Sequence, residues 1–220
     1  ASGDLVQLAH LALNLIGEGE VWFEGQVRPA AQVFQQLGIP PLRVHIREGL
    51  AIINVTSAMT GVGTVNLILA RKLVNWMLVL SAMTNEIMEA FDDHFSPELN
   101  RVKLHRGQQE VAAAMSRVLS GSRLIRKRPE HLYNGKIEAE VLADKVQEYY
   151  SLRCVPQILG PILDTLRQAE TVVEDELNSV SDNPVVDHAE QNIFHGGNFH
   201  GDYVALEMDK LKIAVTKLSM

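Results

Sequence analysis

The sequence predicts a mostly α-helical protein in which long helices pack together as a bundle. Aromatic residues make up only 5% of the 220 residues, whereas Ala, Leu, Val and Met are frequent, a balance that favours helices over a sheet sandwich. Residues 64–95 form a long apolar segment, and residues 155–180 repeat apolar side chains at helical spacing. Helices of this length bury their apolar faces in a bundle or an oligomer.

The N-terminal region predicts short helices and one small hairpin. Residues 4–16 carry apolar side chains at helical spacing, and Gly17 ends that helix. Residues 21–27 alternate around a Glu-Gly turn, which predicts a small β-hairpin near the N-terminus. Residues 29–38 and 48–53 predict two further short helices.

The rest of the chain predicts helices separated by polar turns. Ser96 with the following proline is typical of a helix start, and residues 107–119 predict the next helix. The polar and basic stretch 122–140 predicts an exposed, solvated loop. Residues 181–184 predict a turn, after which residues 199–220 resume a helical pattern.

The whole chain, residues 1–220, is predicted to be one domain. It begins at Ala1 without a basic and apolar leader, and it ends at Met220 within a helical pattern. We therefore expect the central segment of a longer protein, with its N- and C-terminal parts missing.

Charge, cysteine content and hydropathy limit the possible partners. The formal net charge of -7 argues against a nucleic-acid partner, because phosphate binding needs a basic surface. The single cysteine, Cys154, excludes an intrachain disulfide and fits a reducing, cytoplasmic compartment. The most apolar stretch, residues 65–83, contains Arg71 and Lys72, which predicts a buried core helix and no membrane partner.

Five motifs carry the functional prediction. In chain order they are Ala1-Ser2-Gly3-Asp4-Leu5, Arg47-Glu48-Gly49-Leu50-Ala51-Ile52-Ile53-Asn54, Gln147-Glu148-Tyr149-Tyr150-Ser151-Leu152-Arg153, Ser181-Asp182-Asn183-Pro184 and Gly196-Gly197-Asn198-Phe199-His200-Gly201. Together they resemble the histidine, phenylalanine and tyrosine ammonia-lyase family with its related aminomutases. The resemblance runs the whole length, and in residues 146–157 it is greatest to the bacterial tyrosine ammonia-lyases.

The resemblance implies a fold, a reaction and an assembly. The expected fold is the long-helix bundle of the ammonia-lyase, fumarase- and aspartase-like type. The expected reaction is non-oxidative loss of ammonia from an aromatic L-amino acid, which gives a trans-cinnamate-type acid. Members of this family are homotetramers that place residues from several subunits in each active site, so the same self-association is expected here.

The resemblance also implies a cofactor formed from the chain itself. Ala1, Ser2 and Gly3 would cyclise to 4-methylideneimidazol-5-one (MIO), with no metal and no nucleotide. The Gly3 nitrogen has to reach the Ala1 carbonyl through a tight turn that a side chain would obstruct. Ser2 then loses water to give an electrophilic methylene, and the helix dipole after Asp4 would favour negative charge there.

The remaining site residues follow from the same motifs. Arg153 would hold the substrate carboxylate with its planar guanidinium, and Tyr150 would assist proton handling as a catalytic residue. The pocket residues implied by the resemblance are Asn54, Gln147, Asn183 and Phe199. By residue type alone, such residues also fit ordinary caps, turns and core positions. The family's main tyrosine base lies upstream of the ring, and a pocket glutamate lies downstream.

Two departures bear on the substrate. Val55 follows Asn54 where the family often has Gly, so packing near the pocket is expected to differ. Val155 stands where histidine-specific members carry Gln, which favours tyrosine first, phenylalanine second and histidine third. An aminomutase, which adds the ammonia back, stays open.

Other function classes remain alternatives. A metal site would use Asp92-Asp93-His94 or the group His188, His195 and His200, although no His-Glu-x-x-His occurs. The long apolar helices could also serve as an oligomerisation module without chemistry. The fumarase and aspartase group is disfavoured because its Met-Pro-x-Lys-x-Asn pattern is missing.

Overall fold

The computed structural model describes residues 3–132 and 145–219, and helices dominate it. The helices are α1 (Leu5–Leu15), α2 (Ala30–Leu37), α3 (Glu48–Ile53), α4 (Ser57–Ile87), α5 (Pro97–Asn100), α6 (Arg106–Val118), α7 (Arg128–His131), α8 (Tyr150–Arg153), α9 (Val155–Leu177) and α10 (Asp202–Lys217). A 3-10 helix covers Asp93–Phe95, and two antiparallel hairpins pair β1 (Glu20–Phe23) with β2 (Gln26–Pro29) and β3 (Val185–Asp187) with β4 (Asn192–Phe194). The mostly α prediction is confirmed.

The chain divides into two compact units. Unit 1 contains Ala1–Val65 and Thr171–Met208, and unit 2 contains Asn66–Glu170 and Asp209–Met220. Each unit is assembled from two separate stretches of the chain. The expectation of one domain over residues 1–220 stays a prediction.

In unit 1, the predicted elements begin and end close to their expected positions. α1 ends at Leu15, just before Gly17, and α2 ends at Gly38, whose φ of 67° is the left-handed conformation that glycine adopts readily. The predicted hairpin forms with Phe23 opposite Gln26. α1 packs against α3, which has the predicted bounds Glu48–Ile53 and is closed by Asn54.

The β3–β4 hairpin of unit 1 was not predicted. Its strands have only three residues each, with Val185 opposite Phe194. Asp187 fixes the turn, because its Oδ1 accepts the backbone N–H groups of Ala189 at 2.8 Å and Glu190 at 3.1 Å. Three-residue strands are too short for a period-two pattern to show in the sequence.

In unit 2, the core lies around α6 and α9. The largest side chains buried there are Phe95, Val111, Met115, Ile162 and Leu166. Val111 and Met115 follow the helical spacing that predicted α6, and Ile162 and Leu166 follow that of α9, whereas Phe95 ends the 3-10 helix. The helix-start prediction at Ser96 is confirmed, since its hydroxyl oxygen accepts the Leu99 N–H at 3.3 Å.

The prediction that the apolar stretch 65–83 is buried was wrong. α4 keeps its apolar side chains largely uncovered, and Trp76 is 65% exposed. Among the described residues, Glu48–Ile87 is the one helical stretch that is long and apolar enough to cross a membrane, and only 22% of its most apolar part is buried. Core helices of soluble proteins share this length and composition. Arg71 within this stretch forms a bidentate ion pair with Glu170 of unit 2.

The prediction of an exposed basic loop at residues 122–140 is confirmed only in part: residues 122–127 form a loop, whereas Arg128–His131 form α7. Residues 133–140 lie outside the described residues. Arg126, Lys127 and Arg128 form ion pairs with Glu89, Asp92 and Asp93, respectively. Arg128 also stacks on the Phe91 ring at 4.3 Å and starts α7. These basic side chains therefore form ion pairs with the acidic residues that follow α4.

Candidate functional site

Gly3 lies against two of the residues expected in the pocket. Its φ is +70°, and a Cβ at this position would lie 2.4 Å from the Asn54 Oδ1 atom. The Gly3 N–H donates to the Phe199 carbonyl at 3.0 Å. Only glycine combines this backbone conformation with so close an approach of the Asn54 amide. Ala1 and Ser2, the other two residues of the motif, lie outside the described residues.

Asp4 anchors the segment that follows Gly3, a role that the sequence did not reveal. Its side chain is buried, and its Oδ2 accepts the Met59 N–H at 2.7 Å in the first turn of α4. Its backbone N–H donates to the Val55 carbonyl at 2.9 Å. A carboxylate is favoured at the N-terminal end of a helix, so Asp4 holds the start of α1 against the start of α4.

Asn183 is joined to this group through the last motif. Its Oδ1 accepts the Gly196 N–H at 2.7 Å, and the Asn198 Nδ2 donates to the Val180 carbonyl at 3.1 Å. The turn at 181–184 and the glycine-rich motif therefore fold against each other. We call Gly3, Asn54, Asn183 and Phe199 the amide cluster, and all of it lies in unit 1.

The other predicted residues meet in unit 2. The Arg153 Nη1 donates to the Gln147 Oε1 at 2.5 Å, and the guanidinium lies 4.9 Å from the centre of the Tyr150 ring. The Arg153 Nε is buried and has no hydrogen-bond acceptor within the described ranges. We call Gln147, Tyr150 and Arg153 the arginine cluster. Its guanidinium presents a planar face with donor capacity to spare.

Two inward-facing neighbours hold the arginine cluster in place. The Glu148 side chain is fully buried, where its Oε1 accepts the Phe91 N–H at 3.3 Å and its Oε2 pairs with Lys145 Nζ at 2.6 Å. Leu152, four residues after Glu148, is also buried. Its carbonyl oxygen accepts a hydrogen bond from the Asn85 Nδ2 group at 3.3 Å. Because Glu148 and Leu152 point inward, Tyr150 is left exposed beside Arg153.

A cavity of about 450 Å³ adjoins the arginine cluster and is lined partly by residues that the sequence did not single out for this site. Arg153 and Gln147 line it together with His94, Asp93 and Arg128. Arg128 binds both Asp93 oxygens, at 2.8 and 3.1 Å. Burial acts to raise the pKa of Asp93, but the hydrogen bonds and charge of Arg128 outweigh it and hold that pKa below its usual value.

His94 is buried and neutral beside this cavity. Burial lowers its pKa from 6.5 to about 4, although the charges of Asp93 and Glu148 act in the opposite direction. The His94 Nε2 lies 3.3 Å from the Asn85 Oδ1, which assigns the donor proton to Nε2. Through Asn85, His94 is connected to the Leu152 carbonyl that precedes Arg153.

We predict a pH-dependent stability that originates at His94. Its folded pKa of about 4 lies below the unfolded value of 6.5, so the unfolded chain binds the proton more tightly. The contribution of neutral His94 to stability is complete above pH 6.5 and is lost as the pH falls towards 4. At pH 5 the free energy of unfolding should already be lower by about 2 kcal/mol than at neutral pH. Melting temperatures measured from pH 7 to 5 should fall more steeply for the wild type than for His94→Gln. Parallel curves would contradict this assignment.

Two of the residues proposed as alternative metal ligands have other partners. Asp93 is held by Arg128, and His94 contacts Asn85. Within residues 3–132 and 145–219, no three His, Cys, Asp or Glu side chains converge in a way that could hold a metal ion.

Comparison with known proteins decides the family. The family model described as aromatic amino acid lyase matches residues 1–220. The chain belongs to the aromatic amino acid lyase family. The resemblance inferred from the five motifs and the ammonia-lyase fold are thereby confirmed.

Individual members of this family show the same similarity. A tyrosine 2,3-aminomutase of Myxococcus sp. (strain Mx-B0) is 42% identical over 230 residues, which cover 100% of this chain and 43% of the relative. A histidine ammonia-lyase of Geobacillus thermodenitrificans (strain NG80-2) is 42% identical over 219 residues, 100% of this chain and 41% of the relative. The solved Pantoea agglomerans phenylalanine aminomutase superposes with a TM-score of 0.91 at 36% identity over 99% of this chain and 43% of that one.

These lyase-family relatives are much longer than this chain, and they differ in substrate. The chain spans 43% and 41% of the two sequence relatives. One is named for tyrosine and the other for histidine, and both are 42% identical to this chain. Overall similarity therefore does not choose the substrate.

Proposed function

We propose that this chain is the central MIO-containing segment of an enzyme that removes ammonia from an aromatic L-amino acid. The product would be a trans-cinnamate-type acid, with tyrosine as the first candidate substrate, phenylalanine second and histidine third. The Cα–N bond is broken, a proton leaves the β-carbon, and a double bond forms between the two carbons. A cytoplasmic location and the absence of a membrane or nucleic-acid partner stay predictions.

The geometry at Gly3 carries this proposal. Glycine is favoured there by the φ of +70° and by the Asn54 Oδ1 atom, which would have to move to admit a Cβ. MIO, formed from Ala1, Ser2 and Gly3, would supply an electrophilic methylene carbon that the standard side chains lack. Asn54 then lies where an amide could hydrogen-bond to the group, and α1 begins at Leu5, two residues after Gly3. The surroundings of Gly3 therefore fit this cofactor.

The arginine cluster fits recognition of the amino-acid substrate. A guanidinium forms two parallel hydrogen bonds with a carboxylate, and Arg153 is already oriented by Gln147 and Tyr150. Tyr150 is exposed and is proposed to assist proton handling, while Asn183 and Phe199 shape the pocket. By resemblance, each active site draws on several subunits, so the amide cluster and the arginine cluster need not come from one chain.

The exposed face of α4 supports self-association as a homotetramer. Within unit 2, Leu69, Leu73, Trp76, Leu80 and Met83 recur at intervals of four and three residues and are each 47–65% exposed. A heptad-like apolar seam of this kind packs against another helix. A further copy of the chain is the partner that the family resemblance implies.

An aminomutase is the second candidate. It is favoured by the tyrosine 2,3-aminomutase relative, which is 42% identical over the whole chain. Such an enzyme would return the ammonia to the β-carbon of the same intermediate acid. Its product is a β-amino acid, whereas the lyase releases the unsaturated acid, so the two are distinguished by product analysis.

Product analysis of the complete protein tests the proposal. Tyrosine, phenylalanine and histidine are incubated separately, and ammonia, unsaturated acid and β-amino acid are quantified. We expect ammonia and coumarate from tyrosine as the fastest reaction. Urocanate without coumarate would overturn the substrate order, β-tyrosine would identify an aminomutase, and no product from any of the three would overturn the proposed function.

Replacing Arg153 should weaken use of the substrate. A charge-assisted hydrogen-bonded pair contributes roughly 1.5–3 kcal/mol, so Arg153→Gln should lower kcat/KM by about 10- to 150-fold. Arg153→Lys retains the charge but lacks the planar fork and should fall between Arg153→Gln and the wild type. Steady-state kinetics on the amino acid that reacts fastest provide the measurement. An unchanged kcat/KM for Arg153→Gln would rule out this carboxylate contact.

A further inference from the structure

Arg47 has an unusual backbone conformation next to the amide cluster. Its φ is 76°, in the left-handed region that residues with a Cβ seldom adopt, and it directly precedes α3. The turn is closed locally, because the Glu48 Oε2 accepts the His45 N–H at 2.7 Å. Such a conformation persists where the surroundings enforce it, commonly near functional sites.

The Arg47 side chain fastens the turn that carries Asn183. Its Nη2 donates to the Asp182 Oδ2 at 2.7 Å and also to the Pro184 carbonyl. The other Asp182 oxygen, Oδ1, accepts the Asn183 N–H at 2.6 Å. Arg47 therefore contacts the residues on both sides of Asn183. The side chains of Arg47 and Asp182 are 35% and 24% exposed, so water screens this pair only partly.

The same residue begins the helix that ends at Asn54. α3 has no buried residue to fix it by deep packing, and its six residues span only about 9 Å. Asn54 closes α3 through its N–H, which donates to the Leu50 carbonyl at 2.9 Å. A displacement of α3 at Arg47 would therefore move the Asn54 amide that lies against Gly3.

We propose that Arg47 is a positioning residue that sets the relative placement of the Asn54 and Asn183 amides. It acts through the Asp182 carboxylate and the Pro184 carbonyl and does not touch the substrate. The inference rests on the proposed function, in which both amides belong to the same active site.

The test compares Arg47→Ala, Arg47→Lys and Asp182→Asn in the complete protein, with Arg43→Ala as the matched control from the same exposed segment. Misplacement by about 1 Å costs up to about 100-fold in rate, so Arg47→Ala should lower kcat by about 10- to 100-fold. KM should change by less than about threefold, because Arg153 still holds the carboxylate. Arg47→Lys should recover part of the rate, and Arg43→Ala should match the wild type.

Amide hydrogen exchange provides a readout that does not depend on activity. Arg47→Ala and Asp182→Asn should speed exchange at the Asn54 and Asn183 N–H groups, whereas Arg43→Ala should not. If Arg47→Ala does not fold, Asp182→Asn tests the same contact, because it removes the carboxylate charge and keeps the side-chain shape. Wild-type kcat in the folded Arg47 or Asp182 variants would overturn the positioning role and leave the proposed function standing. Faster exchange in a protein whose wild type turns over no amino acid would overturn both, and Arg47 would be a structural clamp only.

Discussion

Ser2→Ala in the complete protein should reduce ammonia release by about three orders of magnitude or more, equivalent to about 4 kcal/mol or more of lost transition-state stabilisation. The alanine methyl group has no hydroxyl to lose as water, so the electrophilic methylene cannot form. No standard side chain replaces such an electrophile, which is why we expect a loss of this size. Ammonia release and unsaturated acid are measured with the substrate that reacts fastest.

The control for Ser2→Ala is a serine outside both clusters. Ser120 is exposed just after α6, and Ser120→Ala should retain wild-type activity. Ser2→Ala should still unfold in one cooperative thermal transition, because the uncyclised segment adds no bulk, and this separates loss of the electrophile from loss of the fold. Activity of Ser2→Ala within tenfold of the wild type would exclude the tripeptide as the source of the electrophile.

The largest stability effect is expected where α6 crosses α9 in unit 2. A Cβ at Gly107 would lie 2.2 Å from the Gly160 carbonyl oxygen, and a Cβ at Gly160 would lie 2.6 Å from the Gln108 nitrogen. Both obstacles are backbone atoms, so relief requires the helices to separate. Asp164 reinforces the crossing, because its Oδ2 accepts the Gly107 N–H at 3.1 Å.

Gly160→Ala should therefore destabilise the protein by about 3 kcal/mol, at the upper end of ordinary overpacking costs. Alanine normally stabilises a helix by up to about 1 kcal/mol relative to glycine, so the steric clash decides the sign. Gly61→Ala is the matched control, since this α4 position has no atom within 4 Å of the added Cβ. Thermal melts at one scan rate should show a lower Tm for Gly160→Ala and an equal or higher Tm for Gly61→Ala. Equal stability of Gly160→Ala and wild type would contradict the crossing geometry.

Local signals were sufficient for most of the helices. α3 has the bounds expected from residues 48–53, and Gly38 ends α2 as its conformational freedom predicts. α4 was expected over residues 64–95 but covers Ser57–Ile87. Its first turn is held by Asp4, 55 residues away in sequence, and it stops before Glu89, which has a φ of 48°. Neither feature leaves a local pattern.

The sequence predicted the residues of the candidate site but not the contacts that hold them in place. The motifs named Asn54 and Arg153, and the structure places the former against Gly3 and the latter against Gln147. The Arg47 contact to Asp182 joins residues 135 positions apart, so it required coordinates. The exposure of α4 was missed for another reason: helical periodicity marks an apolar face without saying whether the same chain or another copy covers it.

The mass of the peptide that carries Ala1-Ser2-Gly3, measured in the active complete protein, shows whether this tripeptide has become MIO. Ring closure between Gly3 and Ala1 removes one water, and dehydration of Ser2 removes a second. We predict a mass lower than that of the encoded sequence by two water molecules. If the protein releases ammonia from an aromatic amino acid while this peptide keeps its full encoded mass, the reaction does not use an electrophile made from Ala1, Ser2 and Gly3.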